Sequence, residues 1–239
     1  MKKILCISIE NLGDVFLTIP VLSSLKKSFP QAEIHFLANS THQQLDHLLV
    51  DVDQFHFFKG SVRAAAASLW NEKYDLIINF NQSFQSKLLN FLLFRKTIQI
   101  TPFVVSDETK TISEHYLKDL SVKISGFKSS FQPQLKHLNL QGHLIDEFNL
   151  PANYSVFALG ARRVSRVISY PKMIELVDRW DGNLVLLGDD WDVHFGDRLA
   201  ILFPEKVINL CKKTTLEQSA AIINKAEKVI THNSAMLHL

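Results

Sequence analysis

The stretch Glu10-Asn11-Leu12-Gly13-Asp14-Val15-Phe16-Leu17-Thr18-Ile19-Pro20 decides how this chain folds. It follows the apolar run 4–9, which is short and bounded and is therefore typical of a buried strand. After Asp14, apolar residues recur at helical spacing as far as Phe29, so the sequence predicts a strand, a tight turn and a helix. Because ligands of open α/β sheets bind at the carboxyl ends of the strands, we expect Asp14 to lie near the functional site.

The same alternation of strand and helix patterns continues along the chain and predicts parallel sheets with helices on both faces. Strand patterns cover residues 4–9, 33–38, 54–58, 74–80, 97–100, 154–159, 184–187, 207–210 and 228–231. Helix patterns cover residues 14–29, 41–50, 62–71, 84–94, 112–124, 144–148, 171–180, 193–203 and 214–224.

The alternation is interrupted once, which predicts two domains. Residues 128–139 contain Ser, Gln and Pro without a clear period, and we interpret the region 128–152 as a connection. The first domain is expected to cover residues 1–150 and the second residues 151–239. Two such Rossmann-like domains facing each other would leave a cleft between the ends of their strands, where ligands are favoured. The second pattern is shorter by at least one strand–helix unit, so we expect a small second domain.

The composition excludes several classes of protein. Hydrophobic residues make up 46% and charged residues 21% of the chain, which is ordinary for a soluble globular protein. A net charge of +2 gives no argument for nucleic acid as a partner. Cys6 and Cys211 lack disulfide or metal spacing and are predicted to be buried, reduced thiols. No apolar run approaches the about 20 residues of a spanning helix, so we expect a cytoplasmic protein with at most peripheral membrane contact.

The 17 Phe residues fall mainly on positions that the patterns assign to the core. Among Phe55, Phe57 and Phe58, one ring is expected to remain exposed. We interpret these rings as core residues and not as a surface on which nucleic-acid bases would stack.

The position of Asp14 at the start of a helix allows two interpretations. As an acid in the first turn, it would stabilise the free N–H groups and the helix dipole by about 0.5–2 kcal/mol. As a general base at the mouth of a cleft, it could take a proton from an acceptor hydroxyl. The spacing alone leaves both interpretations open.

Three more turns with polar or small residues follow predicted strands. Gly160-Ala161-Arg162-Arg163-Val164-Ser165-Arg166 suits a diphosphate, because small residues admit close backbone N–H groups and guanidinium groups bind bidentately, but a solvated basic loop explains it equally. Gly188-Asp189-Asp190 favours a helix cap over a ribose contact. The run His232-Asn233-Ser234, with His238, either points into the cleft or caps a helix. The sequence contains no zinc-ligand spacing, P-loop or dinucleotide fingerprint.

These motifs, taken in order, resemble glycosyltransferase family 9, which contains the ADP-heptose:lipopolysaccharide heptosyltransferases. The opening of that family is similar to Leu12-Gly13-Asp14-Val15-x-Leu17-Thr18-x-Pro20. The later matches, in the order of the family, are Tyr74-Asp75-Leu76-Ile77-Ile78, Gly160-Ala161 with Tyr170-Pro171, Leu186-Leu187-Gly188, Thr214-Thr215-Leu216 and residues 231–238. The resemblance covers nearly the whole chain.

The resemblance implies a GT-B fold, in which two Rossmann-like α/β domains face each other across a cleft. It implies metal-independent, inverting transfer of a heptose-like sugar from a nucleotide-sugar of the ADP-heptose type to a lipopolysaccharide core or related surface glycan. Asp14 matches the general base of the family, with Gly13 and Thr18 on the acceptor side. The implied donor-binding residues are Gly160, Ala161, Arg162, Arg163, Arg166, Gly188, Thr214, Thr215, Asn233, Ser234, Ala235 and His238.

The implied partners are therefore a nucleotide-sugar and a lipid-linked glycan acceptor at the cytoplasmic face of the inner membrane, with no cofactor and no metal. The chain departs from the family pattern at the last motif, where Asn233-Ser234-Ala235 stands in place of Asp-Ser/Thr-Gly. Asn lacks the charge that strengthens bonds to sugar hydroxyls, and Ala adds a methyl group. Ile168 and Ser169 also stand where the family has a lysine. Two alternatives remain: a non-catalytic descendant that binds a nucleotide or a partner protein, and another GT-B sugar-nucleotide enzyme, such as an epimerase.

Overall fold

The structure, a computed structural model, describes residues 1–103, 111–131, 135, 145–160 and 167–239. The chain divides into two compact units, Met1–Lys136 and His137–Leu239. Residues 145–150, which the sequence pattern assigns to the first domain, belong to the second unit. The reason is hydrophobic packing, because Ile145 is buried in the core of the second unit and Phe148 and Leu150 pack against it.

The first unit is built on a five-stranded parallel sheet with the strand order β3-β2-β1-β4-β5. Its strands are β1 (Lys3–Ser8), β2 (Glu33–Asn39), β3 (Gln54–Phe58), β4 (Leu76–Asn79) and β5 (Thr97–Gln99). β1 is central, and its Cys6 lies opposite Phe36 of β2 on one side and opposite Ile78 of β4 on the other. The chain extends the sheet from β1 to β3 in one direction and then returns to place β4 on the other side. The switch point of this sheet therefore lies between β1 and β4.

The single helix expected over residues 14–29 is two helices, α1 (Leu12–Phe16) and α2 (Ile19–Ser28). Thr18 lies in the break, and its hydroxyl donates to the carbonyl oxygen of Val15 at 2.7 Å. Pro20 occupies the first turn of α2, where its missing N–H costs nothing. Inside a continuous helix it would leave the carbonyl of Phe16 without a partner. The prediction of one continuous helix was therefore wrong.

Helices cover both faces of the first sheet. The other α-helices within the described part of this unit are α3 (Val62–Trp70), α4 (Phe84–Leu93) and α5 (Ile112–Lys123), and a 3-10 helix covers Ser40–His47. Leu5 and Ile7 of β1 share one hydrophobic core with Leu69 of α3 and Leu89 of α4. Right-handed crossovers place α2 on the opposite face, since β2 and β5 are added on opposite sides of the β1–β4 pair. There α2 packs against α5.

The second unit repeats the design on a smaller scale. Its four-stranded parallel sheet has the order β8-β7-β6-β9, with the switch point between β6 and β9. The strands are β6 (Ser155–Ala158), β7 (Leu184–Leu187), β8 (Val207–Asn209) and β9 (Val229–Thr231). The α-helices among the described residues are α6 (Tyr170–Arg179), α7 (Val193–Leu202) and α8 (Leu216–Lys225), and short 3-10 helices cover Asp146–Phe148 and Ala235–Leu237. Alternate side chains of β6 point to opposite faces, Phe157 towards α6 and α7 and Val156 towards α8. The two parallel sheets, with a small second unit, confirm the predicted α/β fold class.

Helix α8 begins two residues later than the pattern over residues 214–224 predicts. The spacing of Thr214 and Glu217 fits a capping box, but the box forms between Thr215 and Gln218. The Thr215 hydroxyl accepts a hydrogen bond from the Gln218 backbone N–H, and the Gln218 side chain accepts one from the Thr215 backbone N–H. The Thr214 hydroxyl is instead 2.8 Å from the Ser219 hydroxyl. The two candidate pairs have the same spacing in the sequence. The Thr214 hydroxyl pairs with Ser219, and Thr215 forms the capping box instead.

Two predictions about side-chain burial have opposite outcomes. Cys6 and Cys211 are buried free thiols, as predicted. The assignment of the Phe residues to the core was wrong for Phe84, Phe91 and Phe94, which are 78%, 66% and 67% exposed. Phe84 and Phe91 lie on the side of α4 that faces away from the core, and Phe94 is the residue at which the helix ends. No helix within the described residues combines the length and the apolar composition needed to cross a bilayer.

Candidate functional site

Asp14 lies in α1, directly after the carboxyl end of the central strand of the first sheet. Asn11 is the N-cap residue and has an extended backbone, and its carbonyl oxygen accepts a hydrogen bond from the Asp14 N–H at 3.1 Å. The Asn11 side chain donates to Oδ2 of Asp14 at 3.0 Å. The carboxylate is therefore oriented by Asn11 and remains partly exposed at the sheet edge. A favourable interaction with the helix dipole is compatible with either interpretation of Asp14.

The turn before Asp14 is held from both neighbouring strands. The N–H of Ile9 donates to Oδ1 of Asn81, which follows β4, at 2.7 Å. The carbonyl oxygen of Ile9 accepts from Nδ2 of Asn39, at the end of β2, at 3.0 Å. Two side-chain amides thus fix the residue at which the chain leaves β1.

Asn81 belongs to a buried amide network at the same edge. Its backbone N–H donates to the side chain of Asn79 at 3.0 Å, and its carbonyl oxygen accepts from the side chain of Gln99 at 2.7 Å. Asn79 donates in turn to Gln99 at 3.0 Å. Asn79 and Asn81 are almost completely buried, at 0% and 4% exposure. A connected network of buried hydrogen bonds makes a rigid support, so the turn that carries Asp14 has a fixed foundation.

The remaining acceptor-side residues occupy different environments. Gly13 lies beside Asp14 in the first turn of α1, whereas Thr18 is buried with its hydroxyl bonded to a backbone carbonyl. Tyr116 of α5 lies close enough to Asp14 and Glu10 to sense their charges. Burial, together with these two carboxylates, raises the pKa of the Tyr116 phenol to about 12, so the phenol stays protonated at neutral pH.

In the second unit, His232 ties together the two sides of the turn after β6. Its Nδ1 is 2.7 Å from the carbonyl oxygen of Leu159, and its Nε2 is 3.2 Å from the backbone N–H of Ile168. A carbonyl only accepts and a backbone N–H only donates, so Nδ1 carries the proton and Nε2 accepts. The ring is buried and packs edge-on against Phe157 at 5.8 Å between centroids. His232 is therefore a buried structural link and not the surface residue that a capping interpretation implies.

Asp192 fills the space beside two of the predicted phosphate-binding glycines. A Cβ atom on Gly188 would lie 2.6 Å from Cβ of Asp192, and one on Gly160 would lie 3.0 Å from its Oδ2. Both positions therefore favour glycine because the Asp192 side chain passes there. Oδ2 of Asp192 accepts from the Asp189 N–H at 2.9 Å. Burial raises the pKa of the Asp192 carboxyl to about 6.

The other predicted donor residues lie at the carboxyl edge of the second sheet or outside the described residues. Asn233, Ser234, Ala235 and His238 follow β9 at the switch point, and the Ser234 hydroxyl is buried without a hydrogen-bond partner among the described residues. Thr214 and Thr215 precede α8, beyond β8 at the sheet edge, where both hydroxyls make local hydrogen bonds. The predicted residues outside the described part of the chain are Ala161, Arg162, Arg163 and Arg166.

Near each switch point lie candidate site residues that the sequence analysis predicted and others that it did not. Asp14 and Gly13 lie at the first, and Gly160 with the residues after β9 lies at the second. The missed residues are Asn39, Asn81 and Asp192, together with the linking role of His232. Their common signal is a polar residue at the carboxyl end of a buried strand or a few residues after it. Within the described residues, no three His, Cys, Asp or Glu side chains form a group that could hold a metal ion.

Comparison with known proteins gives matches at the level of the family and of the fold. The family model described as glycosyltransferase family 9 (heptosyltransferase) matches residues 104–239, more than half of the chain. The structure of the E. coli ADP-heptose lipopolysaccharide heptosyltransferase II is similar over 100% of this chain and 81% of that chain, with 20% identity and a TM-score of 0.78.

Two other solved structures agree with this likeness. The family 9 glycosyltransferase from Veillonella parvula has 19% identity and a TM-score of 0.78, over 99% of this chain and 76% of that chain. The E. coli heptosyltransferase WaaC with ADP-2-deoxy-2-fluoro heptose has 18% identity and a TM-score of 0.68, over 99% of this chain and 84% of that chain. Among curated protein sequences, none matches the chain.

Proposed function

Because the chain belongs to glycosyltransferase family 9, we propose that it transfers a heptose-like sugar from a nucleotide-sugar of the ADP-heptose type to a lipopolysaccharide core or related surface glycan. The observation that carries the proposal is the position of Asp14, which lies at the switch point of the first sheet on a turn held by Asn39 and Asn81. We further propose that the acceptor is lipid-linked and that the protein works at the cytoplasmic face of the inner membrane.

In the proposed reaction, Asp14 is the general base. It accepts the proton of an acceptor hydroxyl as that oxygen attacks the anomeric carbon of the donor sugar. The bond from the anomeric carbon to the diphosphate breaks, the nucleoside diphosphate leaves with the bonding electrons, and the configuration inverts. The hydrogen bond from Asn11 to Oδ2 supports this role, because it orients the carboxylate without burying it.

The donor is proposed to bind at the switch point of the second sheet. Gly160 lies two residues after the end of β6, and Arg162, Arg163 and Arg166 are proposed to neutralise the departing diphosphate in place of a metal ion. Asn233, Ser234, Ala235 and His238 are proposed to contact the sugar or nucleotide. The buried Ser234 hydroxyl supports this assignment, since a polar atom without a partner among the described residues can be satisfied by a ligand.

Turnover of ADP-heptose with a lipid A–core acceptor tests the proposal. Asp14→Asn is expected to abolish turnover and to leave the donor Kd nearly unchanged, because the amide keeps the shape but cannot accept the proton. Glu10→Gln is the matched control, since Glu10 is an exposed acid on the same turn and its substitution should leave turnover within about twofold. Full activity of Asp14→Asn, or loss of activity on removing metal ions with EDTA, would contradict the proposed mechanism.

A second candidate function is favoured by Asn233 and Ala235, which replace the acid and the glycine of the family pattern. In that case the chain is a descendant that binds a nucleotide or a partner protein without turnover. A nucleotide present at 100 times its Kd would stabilise the protein by about 2.7 kcal/mol. Thermal stabilisation by ADP without transfer to any acceptor would favour this candidate over the enzyme.

A further inference from the structure

The outer side of α4 carries a row of exposed aromatic and basic residues. Phe84, Lys87 and Phe91 are separated by three or four residues and therefore lie on one side of α4. Phe94 is the residue at which the helix ends, and it is also exposed. The opposite side is anchored by Leu89 and Leu93, which are 0% and 2% exposed. Because these two residues fix the helix on the sheet, the exposed aromatic row is a permanent surface of the folded unit.

The row continues onto α3 and forms one patch. The rings of Phe91 and Phe94 are 5.3 Å apart between centroids, and the ring of Trp70 is 6.3 Å from that of Phe94. We call Trp70, Phe84, Phe91 and Phe94 the aromatic face. Trp70 is 49% exposed, and the three Phe rings are more exposed still. Four large aromatic side chains, of which three touch, exceed the scattered exposure expected on a protein surface.

The charges around the aromatic face have one sign. Lys87, Arg95 and Lys96 are exposed, and residues 84–97 contain no acidic residue. No ion pair between described residues includes any of these three side chains. The nearest acid after Trp70, Glu72, is held by Lys3 at 2.7 Å. Exposed aromatic rings surrounded by unpaired cations are typical of protein surfaces that lie in the headgroup region of a membrane.

We propose that the aromatic face docks the chain onto an anionic phospholipid bilayer, with the Phe and Trp rings at the acyl boundary and Lys87, Arg95 and Lys96 against lipid phosphates. The inference deepens the proposed function, on which it rests for a lipid-linked acceptor. Phe84 begins α4 at the same carboxyl edge of the sheet that carries Asp14. A second copy of the chain fits the patch poorly, because a two-fold contact would bring together two patches that both carry positive charge.

Co-sedimentation of the full chain with vesicles tests this docking. The vesicles contain phosphatidylglycerol and phosphatidylethanolamine but no glycan acceptor, and phosphatidylcholine vesicles are the neutral comparison. The variants are Phe84→Ser with Phe91→Ser, and Lys87→Glu with Arg95→Glu. The matched controls are Phe131→Ser, another exposed ring, and Lys118→Glu, an exposed cation of α5. Each cation near an anionic surface adds roughly fivefold to partitioning, so each double variant should lose at least about tenfold while the controls stay within twofold.

The outcomes separate this inference from the proposed function. Equal binding of the double variants and the unsubstituted chain, or equal binding to anionic and neutral vesicles, overturns the docking surface. A concentration-dependent dimer that Phe91→Ser dissociates, measured by sedimentation velocity, assigns the face to a second copy and also overturns it. Asp14→Asn should bind vesicles normally, and the double variants should keep turnover with a short, water-soluble acceptor. Failure of docking with intact turnover therefore leaves the proposed reaction standing.

Discussion

In the first unit, the residue after the central strand, Ile9, is held by Asn81, which follows the strand across the switch point. In the second unit, the residue after β6, Leu159, is held by His232, which also follows the strand across the switch point. The topology of the two units is the same at this point, and both links run from a side chain to a backbone group. The difference lies in the number of backbone groups that are linked, since the Asn81 side chain accepts from one N–H, whereas the His232 ring bridges the carbonyl of Leu159 and the N–H of Ile168.

A second contrast strengthens the first. The side chains that hydrogen-bond to the Asn81 backbone are the amides of Asn79 and Gln99 and the hydroxyl of Ser86, which stay neutral across the physiological pH range. The second edge contains the buried carboxyl of Asp192, whose pKa is raised to about 6 by burial. The contribution of the first edge to the stability of the fold should therefore be constant across the physiological pH range, whereas that of the second edge should change with pH.

Asp192→Asn should produce the largest effect and would sharpen this contrast. An aspartate carboxyl ordinarily has a pKa of 3.8, whereas burial raises the pKa of Asp192 to about 6, so the folded state holds the extra proton between these values. Stability is therefore lost as the pH rises from about 4 to about 6, and the loss is complete above 6. The shift corresponds to roughly 2–3 kcal/mol. The Asn variant avoids this loss and should be more stable by that amount at pH 7 and no more stable at pH 4.

Urea unfolding of both proteins at pH 4, 5, 6 and 7 measures the difference. Asn keeps an oxygen that can accept the Asp189 N–H, so the hydrogen bond is not lost with the charge. Asp181→Asn, at an exposed position of the same unit, is the control and should change stability by less than about 0.5 kcal/mol at each pH. If the difference in unfolding free energy between the Asp192→Asn variant and the unsubstituted chain does not change with pH, Asp192 does not cause the pH response of the second edge.

Asn81→Ala tests the neutral side of the comparison. The change leaves the buried N–H of Ile9 without its acceptor, which should cost about 1–3 kcal/mol of unfolding free energy at any pH between 5 and 8. If Asp14 is the base, the loosened turn should lower kcat more than it weakens donor binding. Asn81→Asp keeps an acceptor oxygen and should recover part of both losses.

The control for this variant is Asn90→Ala, the same substitution in α4 at a side-chain oxygen that is buried without a hydrogen-bond partner among the described residues. It should not destabilise the protein. Equal stability of Asn81→Ala and Asn90→Ala would show that the link to Ile9 contributes nothing, and the parallel between the two units would fail.

The contrast also explains what the sequence could predict. The strands and most helices follow from local apolar periodicity, and β3 and β7 have the predicted bounds of 54–58 and 184–187. Asn81 and His232 could be recognised as polar residues behind strands, but their roles depend on which strand lies beside which. In the sheet, β4 lies beside β1 although many residues separate the two strands in the sequence. A local sequence pattern cannot predict this pairing.

The glycines and the outer face of α4 show two other limits. Gly160 and Gly188 are both implied donor-binding residues, and the structure shows the Asp192 side chain occupying the space beside both. A glycine reveals that something lies close but not what it is. Phe84, Phe91 and Phe94 were assigned to the core by hydrophobicity, although the spacing of Leu89 and Leu93 already defined a buried side that excludes them.

The smallest expected effect comes from substitutions of His232 that remove its two hydrogen bonds one at a time. In His232→Asn, the amide Nδ2 can still donate to the Leu159 carbonyl but cannot reach Ile168. In His232→Gln, the longer side chain can place its oxygen near the position of Nε2 and accept from Ile168. Each variant should lose one bond and about 1 kcal/mol, and His232→Leu should lose both. If the link positions the turn for the donor, ADP binding should weaken most in His232→Leu, which is measured as the largest increase in Kd. If the Kd and the stability of that variant are both unchanged, His232 is not the counterpart of Asn81 in the second unit.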